Sequence, residues 1–162
     1  MEFLFTKHYD GSEQPNNVLL VNSEREVVLL YGQGEDELGK FRWQRDYDHV
    51  PTSAELRSDI EALVNALTEE KIRTGMVWNG KAVWLSAENQ MNFREVSAPV
   101  RYKIGEDEEG HPVYHTFESD GELEAFRRAV GEHIYGCLQE GWEEKDGIDN
   151  AVASMMQQMG QN

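Results

Sequence analysis

The side chains best able to do chemistry in this chain are two histidine-containing pairs, one serine and several knots of acid. His111 and His115 lie four apart, beside Asp107, Glu108 and Glu109. On a strand such a pair points to one side but stands about 13 Å apart, too far to share one zinc ion unless the chain turns between them. His133 and Cys137 are also four apart, and on a helix they face together. Two ligands do not complete a zinc site, which takes three or four. Cys137 also continues an apolar stripe, so a structural cysteine is expected. Neither Asp10-Gly11-Ser12-Glu13 nor Glu35-Asp36-Glu37 follows the alternating calcium loop that ends in a bidentate glutamate. Glu106-Asp107-Glu108-Glu109 reads as a solvated turn.

Ser86 follows an apolar strand and precedes a helix, as the nucleophile of a strand-turn-helix elbow does. Its neighbours Trp84, Leu85, Ala87 and Glu88 include none of the glycines that make such a turn tight, so Ser86 is read as a helix cap. Neither glycine-rich phosphate-binding signature occurs. Carboxylates are so numerous that no pair is singled out for acid–base work. The expectation is no catalytic residue, no cofactor and no metal.

The large apolar side chains are the remaining candidates, and they suit contact rather than reaction. Trp78 and Trp84 lie six apart across Asn79-Gly80. Counting outward from that turn, Trp78 faces Lys81 and Trp84 comes near Gly75, so the indoles are not opposite each other. Each is expected to bury against a helix or lie at an assembly interface. Met155, Met156 and Met159 make either an adaptable contact surface or an ordinary helix–core contact. With Trp142, these residues form the candidate interaction surface: Trp78, Trp84, Trp142, Met155, Met156 and Met159.

These residues need elements to position them. Asn-Gly between two apolar runs is the strongest short hairpin signal, because both residues tolerate positive φ. Residues 72–85 are therefore read as a hairpin that runs into a helix of about 86–96, with Pro99 just beyond. Leu56, Ile60, Leu63, Val64 and Leu67 form one helical stripe behind a Thr52/Glu55 capping box. Residues 101–104 and 112–117 read as a second hairpin with an acidic tip. Ser119 and Glu122 then cap a helix carrying Leu123, Phe126, Val130, Ile134, Cys137 and Leu138, which Gly141 is expected to end or bend. A weaker last helix holds Trp142, Ile148, Val152 and the methionines, and frays at Gly160-Gln161-Asn162.

Residues 1–50 read as β-rich. Strands are expected at Phe3-Leu4-Phe5, 18–21, 27–31 and 40–47, with Asp10-Gly11 and Pro15-Asn16-Asn17 as turn or loop. Asn22 to Arg25 would make a four-residue connection. A rival helix starting at Ser23, on a Ser23/Glu26 capping box, loses to the β-branched Val27-Val28. Gly32-Gln33-Gly34 and the acids after it are expected to break the third strand. The fold class is α+β: an N-terminal antiparallel meander, then helix, β-hairpin, helix, β-hairpin and C-terminal helices. The expected organisation is a β-rich subdomain over 1–50 and an α+β domain over 51–162.

Of the 162 residues, 39% are hydrophobic and 28% charged, and the net charge is −16. Nucleic acid is disfavoured as a partner, since it needs clustered Lys and Arg to displace counterions. An anionic membrane surface is disfavoured for the same reason, and no apolar run approaches the roughly 20 residues of a spanning helix. The first residues lack a signal-peptide pattern, and the single cysteine excludes an internal disulfide. Cytoplasmic residence at synthesis is the default expectation.

From KIRTGMVWNGKAVWLSAENQMNF through VYHTFESDGELEAFRRAVGEHIYGCLQEGWEEKDGID, the chain resembles a family of uncharacterised domains from bacteriophages and prophages. These domains occur in proteins of the tail-fibre region, including tail-assembly proteins. The likeness covers roughly residues 68–150, about half the chain. It rests on Leu85, Ser86, Glu88, Asn89 and Gln90 at a strand-to-helix start, on residues 114–117, on the helix with Val130, His133 and Cys137, and on residues 142–148. The resemblance implies no catalytic residues. It implies a non-enzymatic protein of the tail-fibre or tail-assembly type that works through protein–protein contacts. A homo-oligomer or a complex with a fibre subunit fits, and the virion becomes a second location after the cytoplasm. The alternative is an acidic regulatory or anti-host module that mimics nucleic acid on a basic partner.

Overall fold

The computed structural model describes residues 4–10, 17–94 and 96–160. The element order is β1 Thr6–His8, β2 Val18–Ser23, β3 Glu26–Asp36, β4 Gly39–Tyr47, α1 Ser53–Thr74, β5 Met76–Trp78, β6 Lys81–Val83, α2 Ala87–Asn92, β7 Val100–Glu106, β8 Pro112–Phe117, α3 Asp120–Asp146 and α4 Ile148–Gly160. The chain is mixed α+β. It packs as two compact units, residues 1–63 with 144–162, and residues 64–143.

The first unit is built on a four-stranded antiparallel sheet of order β1-β4-β3-β2. The expected meander holds for β2, β3 and β4, but β1 crosses to the outer edge of β4, pairing Lys7 with Trp43. Its position is also a correction: Leu4 and Phe5 precede the strand, and Phe3 lies outside the described residues. So do most of the expected loop at Gly11 and residues 15–16, and Gln161-Asn162. The β2–β3 connection is the two residues Glu24-Arg25 rather than four. The Ser23 hydroxyl accepts from the Arg25 N–H at 3.2 Å, a local turn bond that displaces any cap. Gly32-Gln33-Gly34 does not end β3. The strand absorbs these residues as a bulge between Tyr31 and Gly34, with Gly32 at φ 70°. Leu29, Val27, Leu30 and Tyr31 are buried, as are Ile148, Val152 and Met155 of α4.

Helix α1 starts as its sequence dictates. The Thr52 hydroxyl accepts from the Glu55 N–H at 3.2 Å, and the Glu55 carboxylate accepts from the Thr52 N–H at 2.8 Å. Leu56, Ile60, Leu63 and Val64 are buried along one stripe. The helix runs on to Thr74, so residues 72–74 are its last turn and not the start of a strand.

In the second unit Asn79 (φ 49°) and Gly80 (φ 77°) close the β5–β6 hairpin, with Trp78 opposite Lys81 and Met76 opposite Val83. The Ser86 hydroxyl accepts from the Asn89 N–H at 3.2 Å, which makes Ser86 the cap of α2. Helix α2 ends at Asn92, short of the expected 96, where Phe93 turns into the core and is 3% exposed. The β7–β8 hairpin pairs Arg101 with Thr116 and Lys103 with Tyr114. The Trp84 N–H donates to the Ile104 carbonyl at 2.7 Å and sets the two hairpins side by side.

Helix α3 packs Leu123, Phe126 and Val130 into a core with Met76, Val83, Leu85, Phe93, Ile104 and Phe117. Phe126 is its hub, with ring centroids 4.9 Å from Phe117, 5.0 Å from Phe93 and 5.4 Å from Trp78. Gly141 does not end α3, which continues to Asp146. It is buried against α1, where a β-carbon would lie 2.6 Å from the Thr68 hydroxyl. Close helix approach, not helix termination, accounts for this glycine.

Candidate interaction surface

The residues able to ligate or react are tied up singly. A His133 Nε2–H donates to the Lys71 carbonyl at 3.0 Å and lies 3.3 Å from the Ile72 carbonyl, and Cys137 Sγ is 3.8 Å from the same nitrogen. The expected i, i+4 pair therefore does meet. Its imidazole holds the end of α1, and burial, with Glu140 nearby, pushes the Cys137 thiol up from its ordinary value. His111 Nδ1 stands 3.5 Å from both Asp107 and Glu109. Among the described residues no three His, Cys, Asp or Glu side chains come together as a metal-holding group.

A polar cluster that strand pairing alone does not reveal joins β6, β8 and α3. His115 Nε2 is 2.5 Å from Glu122 Oε1, and Lys81 Nζ lies 3.4 Å from His115 Nδ1 and donates to the Tyr114 carbonyl at 3.3 Å. These partners assign an Nε2–H imidazole whose Nδ1 accepts. The ring also stacks edge-on against Phe117 at 4.6 Å. Glu122 thus leaves the capping box half made: Ser119 accepts from the Glu122 N–H, while the glutamate side chain turns to His115.

The candidate contact residues divide. Trp78 is half-buried against Phe126, and its buried Nε1–H finds no acceptor among the described residues. Trp84 is 39% exposed and Trp142 49%. Trp142 meets exposed Tyr135 edge-on at 6.1 Å, seven residues away on α3. Met155, at 1% exposure, takes the helix–core alternative and belongs to the core of the first unit, because the apolar side of α4 faces inward there. Met156 and Met159 are half-buried. The methionines fall in the first unit and the three tryptophans in the second.

Cations and aromatic side chains share the exposed surface of the second unit. On the outward side of the two hairpins, Val77, Trp84, Arg101, Lys103 and Tyr114 are all exposed. The Arg101 guanidinium lies 4.0 Å over the Tyr114 ring, and Lys103 Nζ is 3.1 Å from Glu106. Alternation was the available signal: Arg101 and Lys103 alternate with Tyr102 and Ile104, which point inward. In the first unit an open depression of about 490 Å³ is lined by Arg25, Arg45, Asp46, Tyr47, Asp48 and His49, so its charges are of both signs.

Comparison with protein-family models and with solved structures gives no match. Among curated proteins, one from Streptomyces coelicolor named "Putative adenosine/adenine deaminase" is 33% identical over 84 residues. That similarity covers 44% of this chain and 24% of the relative, so the chain spans about a quarter of the protein it matches. Among the described residues, no helix is long and apolar enough to cross a membrane.

Proposed function

We propose that this chain is a non-enzymatic phage or prophage protein of the tail-fibre or tail-assembly type, acting through contacts with other proteins. One observation supports this reading above the others. The stretch that resembles the tail-region domains coincides closely with the unit over 64–143, which has its own core. That unit ties His115 to Glu122 and His133 to the Lys71 carbonyl, and it leaves Trp84, Tyr114, Tyr135 and Trp142 exposed. Aromatic side chains of this kind are the residues that anchor protein interfaces.

A purine deaminase reading, raised by the partial relative, requires a metal-activated water or an equivalent held by converging side chains. The described residues bring no such group together, and the likeness reaches only 24% of that relative. The nucleic-acid mimic requires a continuous acidic stripe. Here acids are interspersed with bases, as in Lys7–Asp36, Arg45–Asp59 and Lys71–Glu140.

The test is co-expression with the structural proteins encoded beside this chain, followed by purification and solution mass. A stable complex with a tail component is the expected result. A strict monomer that retains none of them overturns the reading.

A further inference from the structure

We propose that the outward side of the β5–β6 and β7–β8 hairpins docks a short acidic segment of a partner protein, with Arg101 and Lys103 receiving its carboxylates and Trp84 its apolar side chain. The inference rests on the protein-contact reading above and names the partner's chemistry. Val77 and Trp84 come from the first hairpin, and Arg101, Lys103 and Tyr114 from the second. The Trp84–Ile104 hydrogen bond makes these two ribbons neighbours, and the pairing of Lys103 with Tyr114 and of Arg101 with Thr116 puts the Arg101, Lys103 and Tyr114 side chains on one face of the second. Val77 is 66% exposed and Tyr114 42%, values that describe a surface without a cover.

Charge selects the occupant. The chain carries 31 acids against 15 bases, and Arg101 still has no carboxylate partner among the described residues. Its guanidinium carbon lies 4.0 Å over the Tyr114 ring, and the fork of N–H donors on a guanidinium suits a bidentate carboxylate. Lys103 beside it meets the half-buried Glu106 at 3.1 Å. Two cations fit one or two carboxylates. They do not fit a phosphate backbone, whose binding requires many clustered bases. A second copy placed face to face would set Arg101 and Lys103 against like charges. An acidic segment with apolar residues between its acids satisfies both the aromatic and the cationic parts of the surface.

The test uses the full chain and three labelled probes: a short synthetic peptide alternating Glu with Leu and Tyr, the same peptide with Lys for Glu, and a single-stranded oligothymidylate. Anisotropy gives affinity, and amide and indole NMR shifts give location. The expected result is binding of the acidic peptide alone, weakened by salt, with shifts at Trp84, Arg101 and Lys103. The double variant Arg101→Glu/Lys103→Glu should weaken it about tenfold or more while leaving the circular dichroism spectrum unchanged. No binding, equal binding by the double variant, or shifts elsewhere overturns the proposal. So does oligothymidylate binding at these residues, or a dimer that the double variant dissolves. If the double variant still holds a co-expressed tail component as the parent does, the contact reading stands and this surface is not its site.

Discussion

Gly105 lies so close to Ala82 that a β-carbon on Gly105 would sit 2.6 Å from the Ala82 carbonyl oxygen and 3.3 Å from Trp84. That approach is what seats the second hairpin beside the first. Gly105→Ala must push backbone away from backbone, so we expect a loss of about 1–3 kcal/mol. Denaturant midpoints read it out, and the Trp84 indole resonance should move. Gly131→Ala is the control: nothing lies within 4 Å of that position on exposed α3 surface, so helix propensity should raise stability by up to about 1 kcal/mol.

Phe126 is fully buried and touches three other aromatic rings. Phe126→Ala should cost about 3–5 kcal/mol by loss of transfer energy and creation of a cavity. Hydrogen exchange across residues 64–143 is the measurement, and near-native protection there would show that the ring cluster is not the centre of that core.

Arg127 reaches back to the segment after α2, where its Nε donates to the Phe93 carbonyl at 2.5 Å and its Nη2 to the Val96 carbonyl at 2.7 Å. Arg127→Met keeps the stem and removes the donors. The expected cost is about 1.5–3 kcal/mol, the range for hydrogen bonds to a charged group. Residues 93–96 should become sensitive to protease before the rest of the chain does.

His49 lies between Asp48, at 2.7 Å from its Nδ1, and Glu55, at 3.0 Å from its Nε2. Hydrogen bonds to Asp48 and then to Glu55 raise its pKa above the ordinary 6.5. A raised folded value means stabilisation that is fully present below the unfolded value of 6.5 and lost as pH rises through the folded one. On the acid side it fades again as Asp48 and Glu55 protonate, both from lowered values. The melting temperature of His49→Gln should therefore fall below that of the parent near and just under pH 6.5 and converge with it in alkali. A gap that stays constant across that range would exclude the imidazolium as its cause.

Capping and turn chemistry were legible because they are local. Thr52/Glu55, Ser86 and Asn79-Gly80 each form the bonds or dihedrals that their residue types dictate. The Ser23/Glu26 capping box shows the limit. The same residue types sit at the same spacing, yet pairing of Val27 with Val21 and Tyr47 makes a strand there. Gly141 failed as a helix stop for the complementary reason: its partner Thr68 is distant in sequence, and no local rule anticipates that approach.

The amino-acid order by itself determined the α+β class, the two hairpins after α1 and the apolar stripes of α1 and α3, since period and turn residues are properties of neighbouring positions. Only the tertiary structure decided that β1 pairs with β4, that Met155 is core while Trp84 is not, and that Arg101 lies over Tyr114 beside an unpaired surface. Such facts depend on which faces of remote segments meet. Burial and charge pairing are settled by that meeting, because desolvation acts on the packed surface and not on the residue alone.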